Sequence, residues 1–265
     1  MTLKDKKLFL LDMDGTIYID DKLFDGVSEF LDGIKERDGR YIFMTNNSSK
    51  GVDEYIKKLQ RLGISAQPEN FVTSVDATAE FLKKRKDEKI YIMGTDSFAN
   101  QMKDMGFYIV NTPDEDVEIV LCGFDRELTY QKLEDVCRLL SAGNRDFFAT
   151  NMDWVCPVEF GYVPDCGSMC FMIEKATGRK PRFIGKPAAD MALLAIERTG
   201  FLKEETLIIG DRLYTDIACG INAGIDTCFV LSGEGTVDDI TVTGIKPTYV
   251  LKNIKELNRR IKDEA

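Results

Sequence analysis

The 265 residues contain no histidine. That single absence removes Ser-His-Asp and Cys-His catalysis, histidine-ligated zinc and phosphohistidine chemistry together. Each of the seven cysteines, at 122, 137, 156, 166, 170, 219 and 228, also lacks an arginine six positions later, so a Cys-x5-Arg nucleophile loop is absent. Neither G-x-x-x-x-G-K-[ST] nor G-x-G-x-x-G occurs, which excludes the two common glycine-rich nucleotide cradles. Apolar runs are short: none approaches 18 residues, and the opening MTLKDKKLFLLDMDG has too brief an apolar segment, interrupted by acids, for a secretory signal. Positive charge is in deficit, with 35 Lys and Arg against 45 Asp and Glu and a net charge of −10. This argues against partners that select basic faces, so no nucleic acid and no membrane surface is expected. The expectation is a cytoplasmic protein whose odd number of cysteines, mostly in apolar surroundings, are buried thiols. Asn46 and Asn47 each match N-x-S/T, but without secretion no glycosylation is expected there.

What is present describes an ordinary folded protein, 44% hydrophobic and 30% charged, long enough for one large or two moderate domains. The stretch Leu8 to Tyr18, LFLLDMDGTIY, organises the rest. Four apolar residues suit a strand buried on both faces, and they end in Asp12 and Asp14, followed by Gly15 and Thr16. Open α/β sheets bind ligands at the carboxyl ends of their strands, and an i, i+2 spacing sends both carboxylates the same way if the strand persists that far. A plain Asp-Gly turn is the alternative. An EF-hand loop is not, because Gly15 at its sixth position would make Leu10 the first ligand.

Downstream, apolar residues at 27, 30, 31 and 34 predict an amphipathic helix over 27–36. A strand over 41–44 runs into Thr45-Asn46-Asn47-Ser48-Ser49, then a helix follows with Tyr55, Ile56, Leu59 and Leu62 on one face. Hydroxyl and amide donors at that strand end suit phosphate oxygens or, equally, a helix cap. A strand over 70–74 and a helix over 76–86 continue the alternation, which calls for a parallel sheet with right-handed crossovers. From about Ala79 to Arg182 the chain carries its own strands, at 90–94, 107–110, 118–123 and 146–150, and its own helices, at 130–141 and 168–177. Met169, Met172, Ile173 and Ala176 on the last helix read as core. About 100 residues exceed any loop, so the fold class is α/β: a Rossmann-like parallel-sheet core, residues 1–78 and 183–265, with an inserted α/β domain at 79–182.

Phe183 to Pro187 then places Lys186 between glycine and proline at a strand end, with a surface lysine as the alternative. Thr206 to Gly210 is a second strongly apolar strand ending in acid: Asp211, then Asp216, in GDRLYTD. Asp216 has a helix N-cap as its alternative role. Strands at 226–231 and 248–251 and a polar helix from Asn253 close the chain, while Ser232 to Thr236 is a loop with no assigned chemistry beyond a rim. If the strand ends converge, Asp12, Asp14 and Asp211 crowd their charges together with Asp216 nearby, and a hard divalent ion, Mg²⁺, relieves the repulsion. Lys186 with the Thr45 and Asn46 donors then suits a phosphate. Without a Ser-His or Cys pair the nucleophile is a carboxylate, assigned to Asp12, with Asp14 passing the proton to the leaving alcohol and later taking one from water.

Those four segments, DMDGT, the strand-end Thr45, GKP and GDRLYTD, occur in the order of the four motifs of the haloacid dehalogenase superfamily, which the chain resembles over nearly its whole length. Thr16-Ile17-Tyr18, TNNS at 45–48, Ala149-Thr150-Asn151 with Asp153, and TGRKP at 177–181 are similar to its NagD-type branch of phosphatases. The resemblance implies a Rossmann-like core with a cap inserted between the second and third motifs. It also implies Asp12 as nucleophile, Asp14 as acid/base, Mg²⁺ held by the Asp12 side chain, the Asp14 carbonyl and Asp211, phosphate held by Thr45 and Lys186, and support from Asp216. Asn151, Asp153 and Asp165 are candidate leaving-group contacts on the cap, and Trp154 is either a further contact or packing. Where many relatives carry Pro-Gly-x-Gly, this chain has Pro164-Asp165-Cys166-Gly167, a departure at the loop that faces substrate in the family. The expected substrate is a small phosphorylated metabolite, and association of copies through their caps, a homo-oligomer, is carried over from the family. A phosphotransferase or mutase with the same intermediate, and a non-catalytic binding protein on this fold, are the alternatives.

Overall fold

A computed structural model describes residues 2–158 and 160–264. They form two compact units, one of Met1–Thr45, Val52–Val72 and Lys186–Ala265, the other of Asn46–Gly51 and Thr73–Gly185. The class is mixed α/β, each unit carrying its own parallel sheet.

In the first unit the strand order is Tyr249–Leu251, Asp226–Val230, Thr206–Gly210, Leu8–Leu11, Arg40–Thr45, Phe71–Thr73. The two strands that end in acid lie side by side at its centre. Every residue of Leu8–Leu11 and Thr206–Gly210 is buried, as expected of parallel strands covered on both faces. Leu11 stands opposite Ile209 on one side and Phe43 on the other. That register brings Asp12 and Asp211, just beyond their strand ends, and Thr45, the last residue of its strand, to one edge of the sheet. Helices Val27–Lys35 and Ile254–Asp263 supply Val27, Phe30, Ile34, Leu257 and Ile261 to the core beside Phe9 and Leu11. Phe9 meets Phe30 edge to face at 5.3 Å. Each fully buried side chain of this size contributes roughly 1.5–3 kcal/mol.

The second unit has the order Arg182–Phe183, Asp146–Ala149, Ile119–Cys122, Ile90–Met93, Ile109–Val110, all parallel. The expected strand at 107–110 is therefore half as long, beginning only at Ile109. Helix Ser74–Leu82 begins earlier than the apolar pattern indicates, because the Thr73 hydroxyl accepts from Asp76 N at 3.1 Å and the Asp76 carboxylate accepts from Thr73 N at 2.9 Å. Helix Cys166–Thr177 likewise starts two residues ahead of Ser168, capped by Asp165, whose carboxylate accepts from Cys166 N at 2.5 Å. Met169 and Ile173 face the core, whereas Met172 and Ala176 are exposed. All seven cysteines are free thiols, five of them buried. No helix among the described residues is long and apolar enough to cross a membrane.

Candidate active site

At the carboxyl edge of the first unit's sheet four charged side chains converge. Lys186 Nζ lies 2.6 Å from Asp12 Oδ1 and 2.7 Å from Asp216 Oδ1, and its side chain is only 3% exposed. It also lies 3.5 Å from the Met44 carbonyl, which sets the end of strand Arg40–Thr45, and with it the buried Thr45, beside the lysine. Oxygens of Asp12, Asp211 and Asp216 fall within 4.8 Å of one another. Asp216 is no helix cap: it sits in a wide π-helical turn, Leu213–Ile217, ahead of helix Ala218–Ala223. Its second oxygen accepts from Arg212 N at 3.1 Å, which turns the first oxygen toward Lys186.

The electrostatics follow from burial. Removal from water, then the charge of Asp216, pushes the Asp12 carboxyl well above the usual carboxylate range, against the pull of Lys186. Burial and Asp216 likewise push Asp211 up to about 6. Burial pulls the Lys186 ammonium down, yet Asp12 and Asp216 outweigh it and hold the lysine above its ordinary range, so it stays charged. Three carboxylates crowd here beside one ammonium that pairs with two of them, and the excess negative charge, presented by oxygen donors only, fits a hard divalent cation.

Asp14 is not in this cluster among the described residues. The strand stops at Leu11, so the two-residue alternation that would align Asp14 with Asp12 does not hold. Instead Asp14 accepts from the Tyr18 hydroxyl at 3.3 Å and pairs with Lys58 at 3.6 Å, on a side chain 57% exposed. The Lys58 ammonium in turn lies 3.7 Å over the Tyr18 ring. Burial, then the Asp14 charge, raises the Tyr18 phenol, which keeps it a donor. Tyr18 stands out in the sequence only through the family resemblance, and Lys58 not at all.

A loop that gave no signal also proves close. The Glu234 backbone N–H donates to Asp211 Oδ2 at 2.7 Å, Gly235 N–H to the Asp211 carbonyl at 3.1 Å, and the Ser232 hydroxyl to the Gly15 carbonyl at 2.8 Å. Thr16 Oγ1 reaches Asp211 Oδ1 at 3.4 Å. Gly15, at φ +85°, and Gly233 press so closely that a Cβ would stand 2.4 and 2.0 Å from Asp211 Oδ2, so only glycine fits at either place.

The remaining predicted residues form a separate network in the second unit. Asn46 Nδ2 donates to Asp153 Oδ2 at 2.7 Å, and Asn151 Nδ2 donates to the same oxygen at 2.8 Å and to Asp165 Oδ1 at 3.0 Å. All four are buried. Ser48 Oγ joins Thr150 Oγ1 at 3.0 Å and accepts from Phe124 N at 2.9 Å. These contacts fasten the loop after Thr45 to the segment 150–153 and to the helix start at 165. Trp154, about half exposed, packs edge to face on Phe171 at 5.9 Å.

Two acid-terminated parallel strands, with a buried lysine paired to Asp12 and Asp216 at their ends, define a class, and comparison with known proteins gives the same one. Family models described as haloacid dehalogenase-like hydrolase and HAD-hydrolase-like match residues 9–108 and 183–257. The acid sugar phosphatase of Staphylococcus aureus is 34% identical over 255 residues, 96% of this chain and 97% of the relative. The solved 4-nitrophenylphosphatase of Thermotoga maritima superposes with a TM-score of 0.90 at 41% identity, covering 97% of this chain and 98% of that one. The glycerol phosphate phosphatase of Mycobacterium tuberculosis, solved with magnesium, superposes at 0.91 with 29% identity, over 99% of this chain and 79% of its own. The chain belongs to the haloacid dehalogenase-like hydrolases. Within them it is of the NagD and 4-nitrophenylphosphatase type, an enzyme of the phosphoric monoester hydrolase class.

Proposed function

We propose that the chain is a Mg²⁺-dependent phosphatase of small phosphate monoesters, sugar phosphates or metabolites like them, working through a phosphoryl group carried on Asp12. The observation that carries this reading is the buried Lys186 ammonium 2.6 Å from Asp12 Oδ1, beside two further carboxylates. Names of relatives, an acid sugar phosphatase and a glycerol phosphate phosphatase, support the substrate class.

The Asp12 side chain, the Asp14 carbonyl and Asp211 would hold the ion, which when bound supplies positive charge against the nonbridging phosphate oxygens. Asp12 attacks phosphorus, and the bond to the leaving oxygen breaks as the bond to Asp12 forms. Lys186 and Thr45 bind the transferring phosphoryl group, the lysine offsetting charge that grows in the transition state. Asp14 gives its proton to the departing alcohol and then takes one from the water that attacks phosphorus on Asp12, releasing phosphate. Asp216 keeps Lys186 in place. In this reading residues 79–182 are the inserted cap. Asn151, Asp153 and Asp165 are its candidate leaving-group contacts.

The test is the Asp12→Asn variant with a panel of phosphorylated metabolites, with and without chelator. Loss of free phosphate release with folding retained supports the reading, and unchanged turnover removes Asp12 as nucleophile. Transfer of phosphate to a second metabolite in place of water would make the enzyme a phosphotransferase.

A further inference from the structure

The loop Ser232 to Gly235 closes on Asp211 and Gly15 through two backbone amides and the Ser232 hydroxyl, and one ion pair fastens it. Arg212, the residue after Asp211, places its Nε 2.9 Å from Glu234 Oε2, and the two side chains are 19% and 40% exposed. The amide of that same Glu234 occupies Asp211 Oδ2 at 2.7 Å. A carboxylate whose one oxygen is held by a fixed N–H presents the other in a defined direction, which is how outer contacts tune a metal ligand. Gly235 N–H on the Asp211 carbonyl, 3.1 Å, and Ser232 Oγ on the Gly15 carbonyl, 2.8 Å, join the loop to both halves of the acid site. Gly233 allows the approach, since any side chain there would collide with Asp211.

We propose that the Arg212–Glu234 ion pair is a latch that sets the affinity for the divalent ion by keeping the 232–235 loop on Asp211. Both are positioning residues, acting through the loop on Asp211. The proposal rests on the reading of Asp12, the Asp14 carbonyl and Asp211 as the Mg²⁺ site. It separates cleanly from a simple field effect. Arg212 places positive charge near Asp211, so as a bare charge it repels the cation, and removing it would tighten binding. As half of a latch, its removal loosens binding.

Mg²⁺ alone is titrated calorimetrically into the full chain and its Arg212→Gln, Glu234→Gln and doubly substituted variants, with denaturant unfolding of each measured free of Mg²⁺. A latch predicts that both single variants bind Mg²⁺ roughly three- to tenfold more weakly. It also predicts that the double variant is no weaker than the weaker single, since one interaction is lost once, and that ion-free stability stays close to that of the native chain. Tighter binding by Arg212→Gln together with weaker binding by Glu234→Gln would show the field alone and overturn the latch, as would unchanged affinity in both. If Asp211→Asn binds Mg²⁺ as well as the native chain, the metal reading itself is wrong and the latch falls with it.

Discussion

Lys186 is the residue on which the site's charge balance turns. Its ammonium is the shared partner of Asp216, fully buried, and Asp12, whose side chain is 17% exposed. Breaking a buried pair from one side leaves the other charge stranded, which costs about 3–5 kcal/mol. Lys186→Met should therefore lower both activity and the denaturant midpoint at neutral pH, and an unchanged midpoint would mean the carboxylates do not depend on it. Asp211 gives a pH prediction. In the ion-free protein its carboxyl titrates near 6, above the ordinary value of 3.8. The folded chain thus takes up a proton as pH falls through 6, gaining stability that is complete below 3.8, and that same proton competes with the metal. Mg²⁺ should bind about tenfold more weakly at pH 5 than at pH 7.5, and equal affinity at the two would place the ion elsewhere. Asp14 gives a third. If it protonates the leaving group, Asp14→Asn should lose roughly 10²-fold or more in kcat/KM on alkyl phosphates. It should lose far less on 4-nitrophenyl phosphate, whose leaving group needs no proton, and equal losses on both would remove the acid role. At this scale residue types were legible, since acids ending an apolar strand announce themselves, but side-chain direction was not. Asp14 turns to Tyr18 and Lys58 because the strand stops at Leu11, and no spacing rule places a lysine 44 residues away.

Among elements, the apolar strands and amphipathic helices were the most legible. Leu8–Leu11 and Thr206–Gly210 stand where uninterrupted apolar runs place them, helix Val27–Lys35 where its apolar period does, and helix Ile254–Asp263 begins just after Asn253 as expected. Shorter elements were missed where hydrogen bonds outweigh pattern. The hairpins Tyr18–Ile19 with Lys22–Leu23 and Val155–Val158 with Gly161–Pro164 bury too little for alternation to show. Helix Cys166–Thr177 begins at a cap, Asp165, within the segment that departs from the family pattern. Burial, with the hydrogen-bonded Cys170 acting the same way, pushes the Cys166 thiol well up, so it is inert packing. Asp165 holds both that helix start and Asn151. Asp165→Ala should destabilise the chain by about 1–3 kcal/mol through the lost cap and the orphaned amide. A change within about 0.5 kcal/mol, the range of neutral surface substitutions, would show that the network is not structural.

Across the whole molecule, the missing histidine, the acid excess and the four ordered segments narrow the chemistry from the sequence alone. The α/β class follows from alternation of strands and helices, which is a property of local sequence. The assignment of Asn46–Gly51 to the second unit is not local: it depends on Ser48 and Asn46 reaching Thr150 and Asp153 more than 100 positions away. The loop at 232–235 escaped because its contacts to Asp211 run through the backbone amides of Glu234 and Gly235, a group that every residue but proline possesses.

The central claim is that phosphate is carried on Asp12. It is tested most directly by mixing the Mg²⁺-loaded enzyme with substrate, quenching in acid within milliseconds and mapping the modified peptide by mass spectrometry. A single phosphoryl group on the peptide spanning Leu8 to Tyr18, located at Asp12 and absent from Asp12→Asn, is the expected result. Turnover that leaves no phosphoryl group there at any quench time, or leaves one on another residue, would contradict the account.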